Sequence, residues 1–138
     1  MIKVIVGVQG TGKTKTLITR VNDAADKSSG NVVCIEKGAK LKYDIKHEVK
    51  LISASEYGVH GADALYGLVC GLYAANFDIT HIFIDSALKL CEKDVDAFAK
   101  FLDAAENISA KNGFEIFVTA SADPATLPES VLKYVEKV

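Results

Sequence analysis

The chain is 138 residues long, 49% of them apolar and 25% charged, with a formal net charge of −2. That balance carries no electrostatic footprint for nucleic acid, and the longest apolar stretch, ALYGLVCGLYAA, is too short to cross a bilayer, so neither a nucleic-acid nor a membrane partner is expected. Cys34, Cys70 and Cys91 share no metal-ligand or CxxC spacing, which argues against a zinc site or a disulfide framework and for buried thiols in the cytoplasm.

A single domain spanning residues 1–138 is expected at this length. Its first segment, residues 2–6, is the β-branched run IKVIV and reads as a buried strand. GVQGTGKT follows at residues 7–14 and leads into a helix over 13–27; residues 32–36 read as the next strand. From 41 to 51 apolar and charged residues alternate, with Leu41, Tyr43, Ile45, His47, Val49 and Leu51 on one parity. This is the pattern of a half-exposed strand or hairpin at a sheet edge, and a strand is expected over 49–53. The helix predicted over 61–75 is apolar nearly all round, which predicts burial on more than one side. Gly67 and Gly71 would let a backbone come close there, either the sheet or another subunit. The strand HIFID at 81–85 precedes a helix over 92–111, whose inward face is Val95, Phe98, Phe101, Leu102, Ala105 and Ile108. A strand over 114–119 and a short helix over 128–137 complete the series. Such alternation predicts an α/β fold, a three-layer α/β/α sandwich around a mostly parallel sheet of about five strands.

GVQGTGKT fits G-x-x-x-x-G-K-[ST] between a strand and a helix, where a phosphate loop has to sit. Its glycines let the backbone curl so that successive N–H groups face phosphate oxygens, and the following helix adds the partial positive charge of its N-terminus. Gly7, Gly10, Thr11, Gly12, Lys13, Thr14 and Lys15 are therefore the expected nucleotide-binding residues. Lys13 would reach the β- and γ-phosphates, and Thr14 would hold Mg²⁺ through its hydroxyl. A magnesium site also needs a carboxylate across from the loop; Asp85, at the end of an apolar strand, is the candidate metal ligand. No N-K-x-D follows a strand, so ATP is the expected nucleotide.

With Walker A as GVQGTGKT and Walker B as IFIDS, the chain resembles the P-loop NTPases, and within them a minimal RecA-like or twitching-motility-type ATPase core. That resemblance implies a catalytic glutamate at the end of the strand after the loop helix, because Ser86 stands where other P-loop ATPases place it beside Walker B. VVCIEKG puts Glu36 there, so Glu36 and Lys13 become the candidate catalytic residues. The family order also implies that the Glu36 strand lies beside the Asp85 strand, and that a polar group, here Thr119 or Ser121, ends the strand next to Walker A.

Fast hydrolysis in RecA-like motors needs an inserted arginine or lysine finger, and Arg20, the only arginine, sits too far back on its helix. Lys37, Lys40 and Lys42 remain as finger candidates beside their bland reading as solvated lysines. The chain also lacks the DNA-binding loops of recombinases and helicases. A switch or regulator is expected, binding ATP and Mg²⁺ and hydrolysing slowly or with help from a protein partner or a second copy. Two alternatives stay open. One is a nucleoside-type small-molecule kinase, similar to thymidine-kinase-type enzymes but without their zinc cysteines, with its acceptor near residues 55–60. The other is a nucleotide-binding module that never hydrolyses.

Overall fold

The computed structural model describes residues 1–136. Five strands, β1 (Ile2–Gly7), β2 (Asn31–Glu36), β3 (Lys50–Ser53), β4 (Ile79–Ile84) and β5 (Glu115–Ser121), are separated by helices except between β2 and β3. The helices are α1 (Lys13–Lys27), α2 (Ala62–Ala75), α3 (Ala87–Leu90), α4 (Val95–Asn112) and α5 (Glu129–Leu132). All four strand pairings are parallel, in the order β1-β5-β4-β2-β3. β2 lies inside the sheet and five of its six residues are buried, as a strand covered on both faces requires.

Side chains alternate across each strand, so one sheet serves two cores. Val33, Ile35, Ile82, Ile84, Ile116 and Val118 face one layer, where Leu65 and Val69 of α2 and Phe98, Phe101, Leu102 and Ala105 of α4 pack. Val32, Cys34, Phe83 and Phe117 face the other, against Leu17 and Val21 of α1. Helix therefore covers both faces of an all-parallel sheet, an arrangement compatible with a three-layer sandwich. The inward face expected for α4 is the one buried, with Val95 and Ile108 at its partly buried margins. Beyond β1 the edge is closed by a single parallel bridge, Val4 to Val135, in which the Val4 N–H donates to the Tyr134 carbonyl at 3.0 Å.

Four expectations need correction. Residues 41–51 are mostly a turn-rich loop, and only Lys50 and Leu51 belong to edge strand β3. The residues buried there are Leu41, Ile45 and Val49, four apart, because the Ile45 N–H donates to the Leu41 carbonyl at 3.1 Å and winds the chain through one turn over α1. Tyr43, on the supposed inward parity, is 91% exposed. Helix α2 buries only Leu65 and Val69, and a side chain at Gly67 or Gly71 would meet nothing within 4 Å. No close backbone packing explains those glycines, and the outward face of the helix is Asp63, Ala64, Gly67, Gly71, Ala74 and Ala75, while Tyr66, Leu68, Leu72 and Tyr73 pack partly buried against the core. The helix expected from residue 92 begins at Val95, because Glu92 and Lys93 are both left-handed, and Asp94 caps it by accepting from the Ala97 N–H at 3.0 Å. Of the helix expected over 128–137, only Glu129–Leu132 is helical, and residue 137 lies outside the described residues.

Candidate functional site

The glycine loop leaves β1 and enters α1. Gly10 and Gly12 have φ of 88° and 86°, values that carry a penalty for any residue with a Cβ. Gly7 is needed for a different reason, since a Cβ there would stand 2.6 Å from the Thr11 hydroxyl oxygen. That hydroxyl in turn donates to the Val8 carbonyl at 2.8 Å and closes the curl. Gly12 caps α1 without any side-chain bond, so the N–H groups of Lys13, Thr14 and Lys15 have no carbonyl one turn back. They form the partially positive N-terminus of a 15-residue helix. Lys13 folds back over the loop and donates to the Val8 carbonyl at 3.0 Å. Burial lowers its pKa, and the nearby Asp85 carboxylate works against that shift.

Asp85 arrives from 71 residues away, and its carboxylate oxygens lie 3.2 and 3.4 Å from the Thr14 hydroxyl. Parallel pairing does this, because β4 ends at the same rim as β1 and the Asp85 N–H is held by the Ile35 carbonyl at 2.8 Å. A hydroxyl and a carboxylate are hard oxygen donors of the kind Mg²⁺ takes, and phosphate and water oxygens would complete the set. Among the described residues no group of three or more His, Cys, Asp or Glu side chains gathers for a metal.

Thr119, 2% exposed, carries more structure than the sequence suggested. Its hydroxyl donates to Asp85 Oδ1 at 2.7 Å and accepts from the Ser86 N–H at 2.8 Å. Ser86 is left-handed, with φ 61°. One buried hydroxyl thus fixes both the carboxylate and the strained turn after it. Ser121, the other hydroxyl considered, is exposed on the cleft wall, in register with Gly7.

Glu36 does emerge beside Asp85, since β2 pairs with β4 and Ile35 is in register with Ile84. It is only 4% exposed, and both carboxylate oxygens are engaged by the loop that follows, from the Lys40 N–H at 2.7 Å and the Leu41 N–H at 3.3 Å. In this arrangement Glu36 anchors the loop over residues 37–41.

The remaining candidates scatter. Arg20 is paired with Glu136, stacks 4.6 Å from the Phe117 ring centre and faces a separate cleft. His60 is exposed, His47 is exposed beside Glu48, and His81 is half-buried with Nδ1 2.9 Å from the Thr80 hydroxyl. Cys34 and Cys91 are buried thiols pushed up to about 12, mainly by desolvation, while Cys70 is half-buried. No described helix is long and apolar enough to cross a membrane.

Around the glycine loop, Asp85, Glu36 and Thr119 the rim encloses a cleft of about 830 Å³, within the range of small-molecule sites. Lys89 and Lys93 also reach its wall. Sequence reasoning missed both, as it missed the bond from Thr119 to Asp85, because each depends on where α3 and β5 bring residues with no motif of their own. Comparison of the chain with models of known protein families and with curated proteins finds no match.

Proposed function

We propose that this chain is a P-loop nucleotide-binding protein with a RecA-like core, which binds ATP with Mg²⁺ and hydrolyses it slowly or with a partner's help. One observation carries the reading. Left-handed Gly10 and Gly12, the open N-terminus of α1, Lys13, and the Thr14 hydroxyl 3.2 Å from Asp85 converge on one cleft. Backbone N–H groups and Lys13 would take the phosphates, and Thr14 with Asp85 would orient the ion that neutralises them. The strand order supports the family reading, with β5 between β1 and β4 and with β2 next to β4.

Titration of Mg-ATP by calorimetry tests this. Lys13→Ala should weaken binding by about tenfold or more, since it deletes a charge-assisted contact to the phosphates. Wild-type protein that neither binds Mg-ATP nor melts higher in its presence would end the proposal.

A second reading, a module that binds without hydrolysing, is favoured by the two hydrogen bonds that occupy the Glu36 carboxylate. Phosphate release from saturating Mg-ATP over a long incubation separates the two. Release that exceeds a Lys13→Ala control supports slow hydrolysis, and none supports the module.

A further inference from the structure

The cleft is more cationic than a single nucleotide requires. Its walls hold six lysines, Lys13, Lys15, Lys37, Lys40, Lys89 and Lys93, against two carboxylates, Glu36 and Asp85. That is a formal excess of four positive charges in a chain whose total is −2. None of the six forms an ion pair among the described residues. Gathered like charges repel one another and destabilise the folded state until an anion joins them. A nucleoside triphosphate with one Mg²⁺ brings about two net negative charges, so about two positive charges stay unmatched. A phosphate monoester, at about −1.5 to −2 near pH 7, closes that gap.

The four outer lysines stand on two lips. Lys37 and Lys40 follow β2 on the loop that crosses to the α1 layer, where Leu41 is buried, and the Glu36 carboxylate fixes the Lys40 N–H at 2.7 Å. Lys89 and Lys93 follow β4, on α3 and the turn after it, in the opposite layer where Leu88 and Leu90 are buried. The second lip is held at a conformational cost. Glu92 and Lys93 are left-handed, with φ of 58° and 59°, and backbone bonds hold the turn, from the Glu92 N–H to the Lys89 carbonyl at 3.0 Å and from the Lys93 N–H to the Leu88 carbonyl at 2.9 Å. Aromatic side chains are absent from the described lining, so unstacked nucleic-acid bases have no platform, and the cleft volume suits a small molecule.

Resting on the nucleotide reading above, we infer that the cleft binds a second ligand beside the nucleotide: a small molecule bearing a phosphate monoester, gripped between Lys37 and Lys40 on one lip and Lys89 and Lys93 on the other. The test uses the full chain, with and without saturating Mg²⁺ and a non-hydrolysable ATP analogue. Ribose 5-phosphate and inorganic phosphate are titrated by calorimetry, with unphosphorylated ribose as control. Ribose 5-phosphate should bind the nucleotide-loaded protein, and ribose should not. The double variants Lys37→Ala/Lys40→Ala and Lys89→Ala/Lys93→Ala should each weaken that binding about tenfold or more. Both should keep nucleotide affinity within about threefold, which also shows that they are folded.

If nucleotide binds but ribose 5-phosphate does not, or if nucleotide simply displaces it, the inference is overturned and the nucleotide reading stands. If nucleotide fails to bind while both lysine pairs still govern ribose 5-phosphate affinity, the anion site stands and the nucleotide reading falls. Loss of nucleotide binding in both double variants would assign the lysines to the triphosphate and overturn the inference. Lysine-dependent binding of a single-stranded oligonucleotide in place of ribose 5-phosphate would do the same.

Discussion

Glu36→Gln separates a loop anchor from a catalytic carboxylate. In the folded chain the two oxygens of Glu36 accept the N–H groups of Lys40 and Leu41 at 2.7 and 3.3 Å. Glutamine keeps one acceptor oxygen and replaces the other with an NH₂ group, which would meet a backbone donor with another donor. The shorter bond survives if the amide turns its oxygen to Lys40, and the Leu41 N–H, in a buried position, is then left without a partner. Hydrogen bonds to charged groups contribute about 1.5–3 kcal/mol and an unsatisfied buried N–H costs about 1–3 kcal/mol, so a net loss of about 1–3 kcal/mol is expected. That loss should concentrate in residues 37–41, where the bonds are made. Native-state hydrogen exchange reads it directly: the Lys40 and Leu41 amides should exchange roughly 5- to 150-fold faster, the fold-change that 1–3 kcal/mol implies, while Ile84 in the sheet should follow only the global change. Unchanged exchange at Lys40 and Leu41 would refute the anchoring role. Turnover measured on the same variant, with nucleotide affinity held, then decides whether Glu36 also acts on water.

Other positions give equally direct tests. Thr119→Val keeps the shape but removes both bonds of the hydroxyl, and should cost about 2–4 kcal/mol in urea unfolding as well as weakening Mg-nucleotide binding; a cost under about 0.5 kcal/mol would show that Asp85 and Ser86 hold themselves. Gly67→Ala and Gly71→Ala place a methyl in open space on a regular helix, and should each raise stability by about 0.5–1 kcal/mol. A loss of stability that depends on protein concentration would instead mean that a second copy packs on α2. His81 has its pKa lowered from 6.5, first by desolvation and against the pull of Glu115. Its folded state therefore binds a proton less readily than its unfolded state, and the stability it contributes is present above 6.5 and lost as the pH falls below that value. His81→Gln should flatten the slope of urea midpoint against pH between about 7 and 5 relative to wild type, and parallel slopes would remove His81 as the cause.

What the sequence made legible was local and periodic. The βα turn at GVQGTGKT needs left-handed glycines, and glycines stand at Gly10 and Gly12 where the left-handed conformation falls. The inward stripe of α4 also read correctly, since a 3.6-residue period over 18 residues leaves little ambiguity. The 41–51 segment misled for a physical reason. Leu41, Ile45 and Val49 are four apart, a spacing that satisfies a period of two as well as a single helical turn, and the intervening Tyr43 and His47 broke the tie toward a strand. Helix α2 differs from its composition because its outward positions are mostly alanine and glycine, which count as apolar in the sequence yet lie exposed, while only Leu65 and Val69 are fully buried. Glu92 and Lys93 had no signal at all, because neither residue type favours positive φ and the turn is held by backbone bonds to Lys89 and Leu88.

The same distinction explains why the glycine-loop side of the cleft was readable and the rest was not. Phosphate recognition by a loop uses backbone N–H groups, and backbone geometry is written in glycine spacing. Lys37, Lys40, Lys89 and Lys93 belong to two segments some fifty residues apart, and only the pairing of β2 with β4 brings those segments to one rim. No aromatic residue stands among the described lining residues, which include the apolar Val8, Leu41, Leu88 and Ala122 besides the six lysines. On the nucleotide reading, a second anion gains from this charge only if it sits on lysines that the first leaves free. With a Mg-bound triphosphate seated, the count of six lysines against two carboxylates would leave about two positive charges unmatched, and titration of a second anion onto the loaded protein decides whether the lips use them.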